Sequence, residues 1–126
     1  MIEYTVDAAK RLIRVRMSGG NTTTDMVRHL SALANDPQFD PTFNALFYIT
    51  DDARMQTTLF DTLLKRILEQ WQQRRKGVKW AVVSASHIQL ALTKLVTDSI
   101  KFELVQLRLF DDEASALKWL DSGPPG

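Results

Sequence analysis

Reactive side chains are sparse in this chain of 126 residues. It has no cysteine, which excludes disulfides, thiolate nucleophiles and cysteine-ligated zinc. The two histidines, His29 and His87, lie far apart, and neither has a second ligand at metal-binding spacing. No phosphate loop, dinucleotide fingerprint, nucleophile elbow or His-Glu zinc helix is present. What remains is "NDPQFDPTFNALFYITDD", Asn35 to Asp52, in which two Asp-Pro pairs precede an apolar block and two adjacent carboxylates. Each proline drives the residue before it out of the helical region, so Asp36 and Asp40 read as turn formers. Asp51 and Asp52 differ, because they stand where a buried strand should end. Ligands of open α/β sheets gather beyond the carboxyl ends of the strands. Thr50 directly precedes this pair, and Thr57 and Thr58 follow it. Acid–base chemistry there would need Asp51, Asp52 and His87 to converge beside a nucleophile or metal that the sequence does not supply. An enzyme is therefore the least favoured class.

The elements that must position these residues are legible from periodicity. "IEYTVDAAKRLIRVRMSG" alternates with period two, giving two strands joined by a turn at "DAAK". Arg14 and Arg16 fall opposite Ile13, Val15 and Met17; with Arg11 they look like a binding stripe, although solvated outer faces of sheets are often charged, which is the favoured reading. After Gly19-Gly20, Thr22 and Asp25 have capping-box spacing. Met26, Val27, Leu30, Leu33 and Ala34 then form the apolar side of a helix, which leaves His29 among exposed positions. That helix should end near Asn35, with Phe39 and Phe43 plugging the loop. "NALFYIT" is apolar on both sides and fits a central strand covered by helices. Thr58 and Asp61 repeat the capping spacing before a helical stripe of Leu59, Phe60, Leu63, Leu64, Ile67, Leu68 and Trp71. Between Asp61 and Trp80, six basic residues face two acidic ones, and Arg74, Arg75 and Lys76 complement the helix dipole. "VKWAVVS" is a further buried strand, and Ser86 with Gln89 opens another helix carrying Ile88, Ala91, Leu92, Leu95 and Val96. His87, in its first turn, is a candidate anion or ligand contact. "ELVQLRLF" is the last strand, and "DDEASALKWL" the last helix, with Ala114, Leu117 and Leu120 inward.

The expected order is ββαβαβαβα: an N-terminal hairpin, then a mostly parallel sheet of about five strands with four helices, in two or three layers. A single domain over residues 1–121 and a flexible tail over 122–126 are expected. The segments 44–50 and 78–83 should lie side by side.

Several fragments, in this order, carry a resemblance. "MSGGNTTTDM", "DPQFDPTFNALFYITD", "KWAVVSAS" and "LRLFDDEASALKWL" resemble patterns of the small bacterial STAS-like proteins similar to the stage II sporulation anti-sigma-factor antagonist. The resemblance spans nearly the whole chain. It implies an α/β domain, a cytosolic location and a family mostly without assigned activity. In true antagonists a partner kinase phosphorylates a serine or threonine at the start of the helix after the central strand. The matching hydroxyls here are Thr57 and Thr58. A phosphate there would add about −2 charge and remake the helix cap. The "D-S-x-G" motif of those regulators is absent, and capping alone accounts for Thr58.

Two functions follow. The first is a non-enzymatic regulatory module that binds an unidentified protein around Thr50–Thr58, with homodimerisation left open. The second is a small apolar ligand or lipid carrier with a CRAL-TRIO-like cavity lined by Phe60, Leu63, Leu64, Ile67, Trp71 and Trp80. Neither needs a cofactor or a metal. A net charge of +1 gives no electrostatic case for nucleic acid. No apolar run reaches the roughly 18 residues that span a bilayer, so no membrane insertion and a cytoplasmic location are expected.

Overall fold

The computed structural model describes residues 1–55, 66, 69–71, 73, 75, 77–99 and 105–122, and of Met55, Val96, Thr97 and Ser99 the backbone only. Strands β1 (Ile2–Asp7) and β2 (Leu12–Met17) form an antiparallel hairpin, with Ile2 opposite Met17 and Asp7 opposite Leu12. Its turn closes with Arg11 at φ 53°, and the Lys10 N–H donates to the Asp7 carboxylate at 3.1 Å. Strands β4 (Asn44–Ile49), β6 (Lys79–Val83) and β7 (Gln106–Phe110) then add in parallel. The sheet order is β1-β2-β4-β6-β7. Segments 44–50 and 78–83 are thus neighbours, with Ala45 paired to Trp80 and Tyr48 to Val83.

The period-two alternation sorts the side chains onto two sides. Ile13 and Val15 of β2, Ala45 of β4 and Trp80 of β6 join Leu33 and Trp71 in one core. Leu12, Leu46, Ala81 and Val83 join Ala116 and Leu120 in the other. Helix α1 (Thr23–Ala34) covers the first side. Arg66, Glu69 to Trp71 and Gln73 are also helical, and Trp71 stacks on Phe39 at 5.8 Å. Helix α3 (Glu113–Leu120) covers part of the second side. Helix α2 (His87–Ser99) lies between β6 and β7 in the chain.

Two elements are additional to the expected order. Strands β3 (Gly20–Asn21) and β5 (Arg54–Met55) make a small parallel ladder just past the exits of β2 and β4. The two chains leave the main sheet as neighbours, and Gly19 at φ +61° lets the first turn back toward the second.

Helix faces are rotated from those expected. His29 is buried at 6 % exposure, because the Tyr4 ring of β1 meets it edge-on at 5.6 Å, while Val27 is exposed. In α3 the expected Leu117 and Leu120 do pack inward, but Ala116 is buried in place of Ala114, which is exposed. On α2, Ile88, Leu92 and Leu95 face solvent. The expectations for the α1 caps and the two Asp-Pro turns hold, while Thr58 and Asp61 lie outside the described residues. Thr22 and Asp25 form a reciprocal capping box, α1 ends at its cap Asn35, and Asp36 and Asp40 accept from the Gln38 and Thr42 N–H groups at 2.8 Å.

Candidate functional site

The exits of β2, β4 and β6 converge on one turn, Thr50 to Ala53. Its backbone closes through the Ala53 N–H donating to the Thr50 carbonyl at 3.1 Å. The Thr50 N–H donates to the Met17 carbonyl at 3.0 Å, which ties the turn to the end of β2. Arg54 N–H donates to the Gly19 carbonyl at 2.7 Å, tying it also to the β3 loop. Buried Asn21 completes this floor, with its amide donating to the Ser18 and Gly19 carbonyls at 3.2 and 3.1 Å.

The side chains of the turn divide into internal and outward groups. The Thr50 hydroxyl donates to the Asp52 carboxylate and lies 3.2 Å from the Met17 carbonyl. Asp52 is held below the usual carboxylate range, first by this hydroxyl and then by the Gly19 N–H. Thr50 and Asp52 therefore build the turn. Asp51 is exposed and belongs to the outward surface. A cleft of about 390 Å³ opens beside it, lined by Arg16, Tyr48, Thr50, Asp51, Asp52 and Ala85.

From above, α2 grips the same turn. Ser86 caps α2, accepting the Gln89 N–H at 3.3 Å. A capping box would send the Gln89 side chain back to the cap. Instead its amide reaches the carbonyls of Thr50, Asp51 and Ala53 at 3.3, 3.1 and 2.7 Å. One helix residue thus adds a donor to three carbonyls, two of which, those of Asp51 and Ala53, a bare turn would leave to water. His87 is exposed on the first turn of α2, and among the described residues no hydrogen bond or ion pair joins it to Asp51 or Asp52. The expected neighbours Thr50, Asp51 and Asp52 do come together. Thr57 and Thr58 lie outside the described residues.

Sequence reasoning missed three participants, Gln89, Arg16 and Tyr48. The spacing from Ser86 pointed to Gln89, but for a different bond. Arg16 and Tyr48 are register partners on β2 and β4, and the guanidinium stands 5.9 Å from the ring centroid. Pairing of two strands distant in sequence is what created this contact. The cavity expectation finds Trp71 and Trp80 in the core, Trp71 against Phe39 and Trp80 edge-on to Phe47 at 6.0 Å. Phe60, Leu63, Leu64 and Ile67 are outside the described residues. Among the described residues, no group of three or more histidine, aspartate or glutamate side chains is arranged to hold a metal. Nor is any helix there long and apolar enough to cross a membrane.

A parallel sheet with an antiparallel first hairpin, helices on both sides and a polar turn at the exits defines an α/β domain. The chain belongs to the SpoIIAA-like family, whose family model matches residues 12–121. Comparison with curated proteins and with solved structures returned no match.

Proposed function

We propose that this protein is a non-enzymatic regulatory module that docks a protein partner on the exit turn of its central strands. The observation that carries this reading is the grip of Gln89 on the Thr50–Ala53 turn, which holds exposed Asp51 in one position before any partner arrives. A preorganised surface loses less conformational entropy on association than a loose loop. Family membership supports the same reading. So does the shape of the cleft, which is polar and open where a catalytic site would need convergent groups. His87 and Asp51 are the outward contacts. Because the Thr50 hydroxyl is already engaged inside the turn, Thr57 or Thr58 is the better phosphoacceptor. The setting for these events is the cytoplasm, with a protein partner and no cofactor.

Affinity capture on the full chain tests this. The expected result is one recurrent protein recovered with the wild type, reduced about tenfold by Asp51→Lys, with an unchanged unfolding midpoint. Equal recovery with Asp51→Lys and Gln89→Ala would overturn the turn as the docking site. The alternative of an apolar ligand draws no support from Trp71 and Trp80, whose rings are spent on core packing. Native mass spectrometry of freshly purified protein tests it, since a stoichiometric lipid adduct would reinstate that alternative.

A further inference from the structure

We infer that the partner does not stop at the turn but lies along the uncovered outer side of β1, β2 and β4, and that it presents a carboxylate to Arg16. This rests on the docking reading above and names the chemistry of the occupant. Helix α3 covers the second side of the sheet over Leu46, Ala81 and Val83, and its first residue, Glu113, marks where cover ends. Beyond it the strand pairing lays out two short rows across three strands. Glu3, Arg16 and Tyr48 form one, and Thr5 and Arg14 the other, which ends on Leu46, buried under α3. Between the rows and Glu113 runs a groove of about 480 Å³.

The two arginines of this groove are in different states. Arg14 donates to Glu113 at 2.6 Å, so its charge is answered within the chain. Arg16 is exposed, stands over the Tyr48 ring, and among the described residues has no carboxylate within 4.0 Å. An arginine held on an aromatic platform is ordered without being neutralised, which suits it to receive an incoming carboxylate in a directed geometry. Arg16 and Tyr48 also line the cleft beside Asp51, so groove and turn are one continuous surface. Along that surface Arg14 is paired with Glu113, Arg16 stands opposite its cross-strand neighbour Glu3 with no ion pair between them among the described residues, and Asp51 with Asp52 makes the turn negative. The complementary occupant is a protein segment with an acidic residue over Arg16 and a basic residue toward Asp51.

Site-specific photocrosslinking in the native cell separates this from the docking reading. A benzophenone side chain is placed at Thr5 in the groove, or at exposed Ala85 in the cleft beside Asp51, of the full chain. Crosslinked peptides are sequenced. The inference expects the same partner at both positions, with an aspartate or glutamate within a few residues of the Thr5 crosslink. Arg16→Glu should lower the Thr5 crosslink about tenfold, and Arg16→Gln about threefold, with unfolding midpoints unchanged. Crosslinks at Ala85 alone overturn the groove and leave the turn standing. No crosslink at either position overturns both. Crosslinks at Thr5 that ignore Arg16→Glu, or that join two copies of this chain, overturn the acidic occupant.

Discussion

At the entry end of the parallel strands, Arg75 donates to the Pro41 carbonyl at 3.0 Å and to the Phe43 carbonyl. At the exit end, Gln89 donates to the carbonyls of Thr50, Asp51 and Ala53. Both residues gather backbone acceptors from a loop that would otherwise need water, but in opposite surroundings. Arg75 is 2 % exposed, with its guanidinium 5.4 Å from the Phe39 ring and 5.9 Å from that of Trp80. Burial pulls it down to about 10, still charged at neutral pH. Gln89 is half-buried and neutral, next to a solvated cleft. A charged donor sunk among aromatic rings is costly to disturb, whereas a neutral donor at the rim can be adjusted cheaply. The entry end is therefore the costlier of the two to disturb, and the exit end is the one on which the proposed docking rests.

The sharpest test of that contrast is Arg75→Met. It removes the donors and leaves buried carbonyls unpaired, so a loss of about 3 to 5 kcal/mol is expected by urea denaturation. Arg75→Lys should recover little of it, since an ammonium lacks the planar fork that reaches two acceptors and stacks on rings. A midpoint unchanged in Arg75→Met would erase the distinction between the two ends.

Acid should act on the side of the sheet that α1 covers. Burial lowers His29 from 6.5 to about 4, and its buried Nδ1 has no hydrogen-bond partner among the described residues. Above pH 6.5 both folded and unfolded states hold a neutral imidazole, and stability is complete. Between 6.5 and 4 the unfolded chain takes up a proton that the folded chain refuses, so stability falls as pH falls. The full window is worth about 3 kcal/mol. Urea midpoints of wild type and His29→Phe, compared at pH 7 and pH 4.5, should show a marked drop in the first and a much smaller one in the second. Asp25, Asp40, Asp52 and Asp112 all sit below the ordinary carboxylate range, so their contributions are lost only at lower pH.

At the exit end, Gln89→Ala should cost only about 1 kcal/mol, yet weaken partner capture several-fold by loosening the turn. Gln89→Glu should be worse on both counts, since it sets a carboxylate against three carbonyl oxygens. The smallest effect belongs to Glu113→Gln. The Arg14–Glu113 pair is 39 % and 48 % exposed, and about 0.5 kcal/mol or less is expected. If Gln89→Ala unfolds the domain as readily as Arg75→Met does, the two ends are not functionally distinct.

Which features were legible in the sequence follows from the range of the interactions. The β4 and β6 runs announced a central pair because continuous apolar strands must be buried on both sides. Thr22 and Asp25, Asp36 with Pro37, and Asp40 with Pro41 act within a few residues, so local chemistry specified them. His29 was misplaced because helical periodicity alone does not tell which arc a β1 tyrosine will cover. Ile88, Leu92 and Leu95 looked like core for the same reason. Gln89 was flagged by its spacing from Ser86, but its true acceptors lie more than thirty residues earlier in the chain. Arg16 with Tyr48 required strand register, which no short window contains. The fold was thus read largely from neighbours, while the recognition surface was assembled from partners that only the folded chain brings together.

The ladder of β3 and β5 has a consequence of its own. Two residues per strand are too few to stand unaided, and it persists because β2 and β4 deliver both ends in step. It behaves like a fuse: a tug on the exit turn parts it before the main sheet yields. Amide deuteration at Asn21 and Arg54 should therefore be the earliest gauge of a bound partner, slowing when the turn is braced and quickening when it is pulled.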